Sequence, residues 1–217
     1  MSDNSLTVIQ DCDSSVPLPL VLIHDGGGTV MHYYSLGDMG RTVYGIDTKS
    51  TWRDGIPSMV EDYCAMIKEM DLPAILLGGW SLGGIVALEI AQALSEDPDI
   101  DVVGVILIES IYPQLVKRHY ANINPLDLTY SKNIPNDVRD RIYTNLSESI
   151  QAVQSHKMQS ELNIPPTVLI RAVSSMPSLQ GIPIPDVLGW DHDGHDFIKQ
   201  VYKVPGHHFS IFQDEHV

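Results

Sequence analysis

Cysteine is scarce in this chain, basic residues are few, and no long apolar run occurs. The two cysteines, Cys12 and Cys64, stand far apart and match no metal or redox spacing, so free thiols in a reducing compartment are expected. No apolar run approaches the roughly 20 residues that span a bilayer, which excludes a membrane-spanning helix. The opening "MSDNSLTVIQ" has neither the basic nor the apolar region of a secretory signal, and a cytoplasmic protein is the expectation. With 13 Lys and Arg against 28 Asp and Glu, the net charge is −15, which argues against a nucleic-acid partner or an anionic membrane surface. The 217 residues, 43% hydrophobic and 19% charged, suit a single domain with a sizeable core.

The acidity is uneven. Residues 113–165 hold six basic side chains against five acidic ones, whereas the rest of the chain holds seven against twenty-three. That segment is also polar and helical in tendency, with breaks at Pro125 and Pro135. Elsewhere apolar strands alternate with helical patterns. Strands are expected at "SLTVIQ", "PLPLVLIH", "RTVYGID", "AILLGG", "DVVGVILIES", "PPTVLIRA" and "QVYKVPG". Helices are expected from Pro57 to Met70, with Met59, Tyr63, Met66, Ile67 and Met70 on one face, and over 83–95, with Ile85, Leu88, Ala91 and Leu94 on one face. The reading is an α/β fold with a largely parallel sheet and a helical insertion after the fourth or fifth strand.

The stretch "ILLGGWSLGGIVALEI" carries the chemistry. Gly79-Trp80-Ser81-Leu82-Gly83 is G-x-S-x-G at a strand-to-helix junction, where a nucleophile sits on a sharp turn and its neighbours must be small. The helix after Ser81 directs its dipole and free N–H groups at the site, favouring negative charge on a bound oxygen. A serine hydroxyl needs a base to take its proton and an acid to orient that base. Glu109 ends the strand after the elbow helix, and His207 and His208 follow the last strand, in the chain order Ser, acid, His. For the oxyanion hole, the Leu82 N–H is one donor. The run "HDGGG" at 24–28 lacks the Lys and spacing of a P-loop, and the Gly26 N–H is the expected second donor.

These residues resemble the thioesterase domains of polyketide and nonribosomal peptide synthetases, in the α/β-hydrolase superfamily. "LVLIHDGGGTVMHYYSL", "GGWSLGGIVALEIAQAL", "VILIESIYP" and "VPGHHFSIF" fall at that family's blocks and in its order, from about Leu18 to Phe212. The resemblance implies an α/β-hydrolase fold over residues 1–217, with Ser81 as nucleophile and His208 rather than His207 as base. It puts Glu109 where the family usually has Asp. Residues 113–165 would be its lid, and Lys117, Arg118, Arg139 and Arg141 would offer an acidic partner a locally acceptable surface. It also implies no cofactor in the protein itself, the substrate being an acyl or peptidyl chain on the phosphopantetheine of a carrier protein.

Two other readings fit the same scaffold. One is a small-ester serine hydrolase that needs no carrier. The other is a non-catalytic binding protein, which would have no need of Ser81, Glu109 and His208 together. The polar "DHDGHD" run at 191–196, with His192 and His195, is read as a loop and no metal site is expected. Cys64 is read as packed, and Trp52 and Trp190 as core aromatics by default.

Overall fold

A computed structural model describes residues 4–13, 17–48, 55–119, 136–158, 163–175, 185–191 and 196–213. Its centre is a seven-stranded sheet of β1 (Asn4–Gln10), β2 (Leu20–Ile23), β3 (Val43–Thr48), β4 (Ala74–Trp80), β5 (Asp101–Ile108), β6 (Thr167–Ala172) and β7 (Ile198–Val204). The spatial order is β1-β3-β2-β4-β5-β6-β7, and only β1 runs antiparallel to its neighbour. The central strands read as near-continuous apolar runs because a parallel strand is covered on both faces. Along β2, Val21 and Ile23 enter the core beneath one face, while Leu20 and Leu22 enter a second core beneath the other. The edge strand β7 is mostly half-buried or exposed.

Between the strands lie α1 (Gly55–Lys68) after β3, α2 (Leu82–Ala93) after β4, and α3 (Pro113–His119) and α4 (Asn136–Ser155) after β5. α1 begins two residues earlier than the sequence predicts, at Gly55, whose φ of 73° belongs to the left-handed region open to glycine. Pro57 still falls in the first turn, where its missing N–H costs no helical bond. Ile56, Met59, Tyr63 and Ile67 form the buried stripe, with Met66 and Met70 partly buried beside it. α2 is buried almost all round rather than on one face. It is pinned between the sheet and α1, so periodicity alone understates its burial.

The helical segment predicted after the fourth or fifth strand follows β5. Of 113–165, residues 120–135 and 159–162 lie outside the described residues, as do Trp52, His192 and His195 and the side chains of Arg139 and Arg141. Trp190 is buried, stacks edge-on against Tyr112 and Phe197, and donates from Nε1 to the Ser110 carbonyl at 2.7 Å. Cys64 is a partly buried free thiol packed against the core, and burial pushes its pKa up to about 11. Among the described residues no helix is long and apolar enough to cross a membrane. Because β2, β4, β5, β6 and β7 run parallel, the loops leaving their carboxyl ends gather along one edge of the sheet, and the chemistry-bearing residues lie there.

Candidate active site

Ser81 sits between β4 and α2 with φ 58° and ψ −118°, a conformation sparsely populated by residues with a side chain. The surrounding sequence over-determines it. A Cβ on Gly79 would strike the backbone of Gly83, and a Cβ on Gly83 would strike the carbonyl oxygens of Ile23 and His24. Both glycines let α2 approach the sheet closely enough to form the turn. The Ser81 N–H donates to the Ile108 carbonyl at 2.9 Å, and the Trp80 N–H donates to the Tyr33 hydroxyl at 2.7 Å. That hydroxyl in turn donates to the Ile23 carbonyl at 2.7 Å. Tyr33 thus clamps the end of β2 to the end of β4. Burial raises its pKa far above the ordinary phenol value, so it remains a neutral donor.

Glu109 follows β5 immediately and is also in the left-handed region, at φ 48°. Its N–H donates to the Ile170 carbonyl at 2.8 Å, which fixes the turn. Its carboxylate is buried and divided between two partners. Oε1 accepts the Ala172 N–H at 2.5 Å, and Oε2 faces Nδ1 of His208 at 3.3 Å. A carboxylate only accepts, so Nδ1 of His208 is the donor, and in the neutral ring the lone pair is then on Nε2. His208 is itself buried, tilted over Trp80 at 5.2 Å and set edge-on to Phe209 at 4.8 Å. The residue preceding Ser81 therefore packs on the ring that Glu109 holds. His207 is oriented differently: its N–H donates to Ser210 Oγ at 2.9 Å, and its Nδ1 accepts the Phe209 N–H at 3.2 Å.

The loop after β2 is organised around Asp25, which lies near His208. The Asp25 carboxylate accepts the N–H groups of Gly27 at 2.7 Å and Thr29 at 3.2 Å, and the Asp25 carbonyl accepts that of Gly28 at 3.0 Å. These bonds occupy the amides of Gly27, Gly28 and Thr29 within the turn and leave the Gly26 amide outside it. Burial raises the Asp25 carboxyl to about 6, against the pull of its backbone donors and of the nearby His208. Burial lowers the adjacent His24 to about 4. His24 donates from Nδ1 to the Asp25 carbonyl at 2.7 Å, and its Nε2 accepts from the Tyr63 hydroxyl at 2.6 Å, an arrangement only the neutral ring can make. His32, in the short 3-10 helix Met31–Ser35, lies against Trp80. Its pKa is lowered by burial and by the proximity of His208.

The structure thus joins Glu109 to His208 directly. The ring of Trp80, the residue before Ser81, packs on the same imidazole, and Asp25 lies near enough for its carboxyl to be pulled by it. Leu82 opens α2, where the first amides of a helix have no intrahelical acceptor. Sequence reasoning missed Tyr33, whose partners are backbone groups of Ile23 and Trp80, and His24, which bonds the Asp25 carbonyl and the Tyr63 hydroxyl. It also missed Asn145, which donates from α4 to the Gly27 carbonyl at 2.8 Å. His24 lay within the quoted "HDGGG", but nothing in the spacing distinguishes a ring that supports the turn from one that faces the site.

The sequence model of the thioesterase domain matches residues 18–164. Thioesterase frbE of Dothideomycetidae sp. (strain 11243) is 34% identical, covering 92% of this chain and 84% of the relative. The probable thioesterase gloN of Glarea lozoyensis is also 34% identical, covering 93% and 86%. Among solved structures, the NocB thioesterase domain from the nocardicin cluster superposes with a TM-score of 0.71 at 22% identity, over 92% of this chain and 88% of that one. That likeness gives the fold, an α/β-hydrolase fold.

Proposed function

The chain belongs to the thioesterase-domain family, and from that premise we propose that it releases a polyketide or peptide acyl chain from a carrier protein through an acyl-enzyme on Ser81. The observation that carries this reading is the buried Glu109–His208 hydrogen bond beside the strained Ser81 turn. In the proposed first step, Nε2 of His208 takes the Ser81 proton as Oγ attacks the thioester carbonyl carbon. Glu109 keeps the imidazole in the Nδ1–H form and stabilises the imidazolium. The Gly26 and Leu82 N–H groups hold the tetrahedral oxyanion. Collapse breaks the carbon–sulfur bond, and the departing thiolate takes the proton from His208. In the second step water, or a hydroxyl or amine of the chain or of another molecule, attacks the ester while His208 again accepts a proton, and collapse breaks the bond from the acyl carbon to Ser81 Oγ as His208 returns that proton to the serine. No cofactor of the protein itself takes part, because the phosphopantetheine arm arrives with the substrate.

The relatives are named as a thioesterase and a probable thioesterase, and the NocB thioesterase domain comes from the nocardicin cluster, which supports an assembly-line substrate; the site of action in this reading is the cytoplasm. Residues 113–165 would cover the substrate channel as a lid, with the exposed Lys117 and Arg118 of α3 turned toward an acidic carrier. The test is a comparison of kcat/KM for an acyl-phosphopantetheine thioester and the matching simple ester. Preference for the thioester, abolished by Ser81→Ala, is the expected result. Preference for the simple ester would instead make this a carrier-independent hydrolase.

A further inference from the structure

The Asp25–Thr29 loop is held from outside by three elements. His24, following β2, donates to the Asp25 carbonyl at 2.7 Å, and the Thr48 N–H of β3 donates to the Gly28 carbonyl at 3.0 Å. The third donor is Nδ2 of Asn145, 2.8 Å from the Gly27 carbonyl, and it comes from α4 rather than from the sheet. The contacts at Gly26 also involve α4. A Cβ on Gly26 would meet Ser149 Oγ at 2.8 Å and the Leu146 side chain at 3.4 Å, so that glycine lets the helix settle on the loop.

Asn145, Ser149, Ala152 and Val153 are the buried stripe of α4, at the spacing of one helix face. An amide on such a stripe is costly to bury unless hydrogen-bonded, and this one is bonded to loop backbone. Beyond the end of the helix, a separate contact fixes α4 to the body: His156 Nε2 lies 2.8 Å from Glu89 Oε1 on α2. The helix is therefore seated on α2 through His156 just past its end and, a few turns earlier, on the loop that carries Gly26 through Asn145.

We propose that Asn145 is a positioning residue that makes the geometry of the Gly26 loop depend on the seating of α4. With α4 docked, the Gly27 peptide is fixed and the loop turns its amide toward the site. With α4 displaced, the Gly27 carbonyl loses its donor and the turn relaxes. The segment after β5 then acts on the chemical step as well as covering the channel. This inference rests on the reading of Gly26 as an oxyanion donor.

The experiment uses the full chain with Asn145→Leu, which keeps the branched outline, and Asn145→Asp, which keeps the volume, each removing the donor. Three quantities are measured: steady-state rates with an acyl-pantetheine thioester, urea unfolding, and amide exchange over residues 25–29. Both variants are expected to lower kcat by about tenfold, the worth of one hydrogen bond, with KM changed by less than about twofold. Exchange is expected to quicken at the loop while β4 and α2 stay protected. A kcat retained in either variant would overturn the proposal, because volume alone would then suffice. So would a loss of kcat accompanied by faster exchange throughout α2 and β4. If the wild-type chain shows no Ser81-dependent turnover, the thioesterase reading fails. The loop exchange then decides this inference by itself, and unchanged exchange at 25–29 overturns it.

Discussion

Two adjacent side chains, His24 and Asp25, are buried with opposite consequences for stability. His24 falls from 6.5 to about 4, so its contribution is present above pH 6.5 and is lost as the pH falls through 4. Asp25 rises from 3.8 to about 6, so its contribution is full below 3.8 and is lost as the pH rises through 6. Between pH 4 and 6 the two oppose each other. Asp25→Asn keeps an acceptor for the Gly27 and Thr29 amides and removes one of the pair. Relative to the wild type, the variant should gain stability from pH 4 to about pH 6 and level off above it. Urea midpoints at unit intervals of pH measure this, and a constant difference would show that Asp25 is not held at a raised pKa. Neither residue's electrostatics was legible in the sequence, since burial of a loop residue depends on what packs over it. Ser81 was legible because its backbone demands glycines at fixed offsets, and those offsets are local.

At the scale of elements, the strands and the elbow could be read because parallel strands need apolar residues on both faces and the turn into α2 needs small ones. Gly83 is the sharpest case. Its missing Cβ faces the carbonyl oxygens of Ile23 and His24, which are backbone atoms and cannot swing aside. Gly83→Ala should destabilise the fold by about 1–3 kcal/mol, the range of an overpacked core. The cost should register as a lower urea midpoint with an unchanged slope. An unaltered midpoint would mean that α2 can shift outward and that the close approach is dispensable. α4 was legible as a helical tendency only. Its sequence is polar on most faces, so the short buried stripe through Asn145 and Ser149 cannot be separated by period from a solvated helix that happens to carry Ala152 and Val153. The docked face is set by the loop it meets, 118 positions away in the chain for Asn145 and Gly27.

Over the whole molecule, the uneven charge is the long-range feature that sequence displays most directly, since counting needs no fold. A net charge of −15 repels an acidic carrier at a distance, and the basic excess after β5 is the local exception. Lys117 and Arg118 are exposed on α3. Reversing both to Glu should raise KM for a carrier-bound thioester several-fold at low salt, leave KM for the free pantetheine thioester unchanged, and lose its effect as salt screens the charges. An equal change with both substrates would place the effect in the channel rather than in docking.

The fold class and the largely parallel sheet were also legible, because strands alternate with helices along the chain, whereas the strand order was not read. What brings Ser81, Glu109 and His208 to one edge is the shared direction of β4, β5 and β7. The most direct test of the central claim is the intact mass of the protein after mixing with a medium-chain acyl-pantetheine thioester, with Ser81→Ala alongside. The account predicts a gain of one acyl group in the wild type, none in the variant, and release of free thiol in step with the gain. An unmodified wild type that also fails to react with a serine-directed fluorophosphonate would contradict it, because that reagent requires only an activated Ser81 and no particular acyl chain.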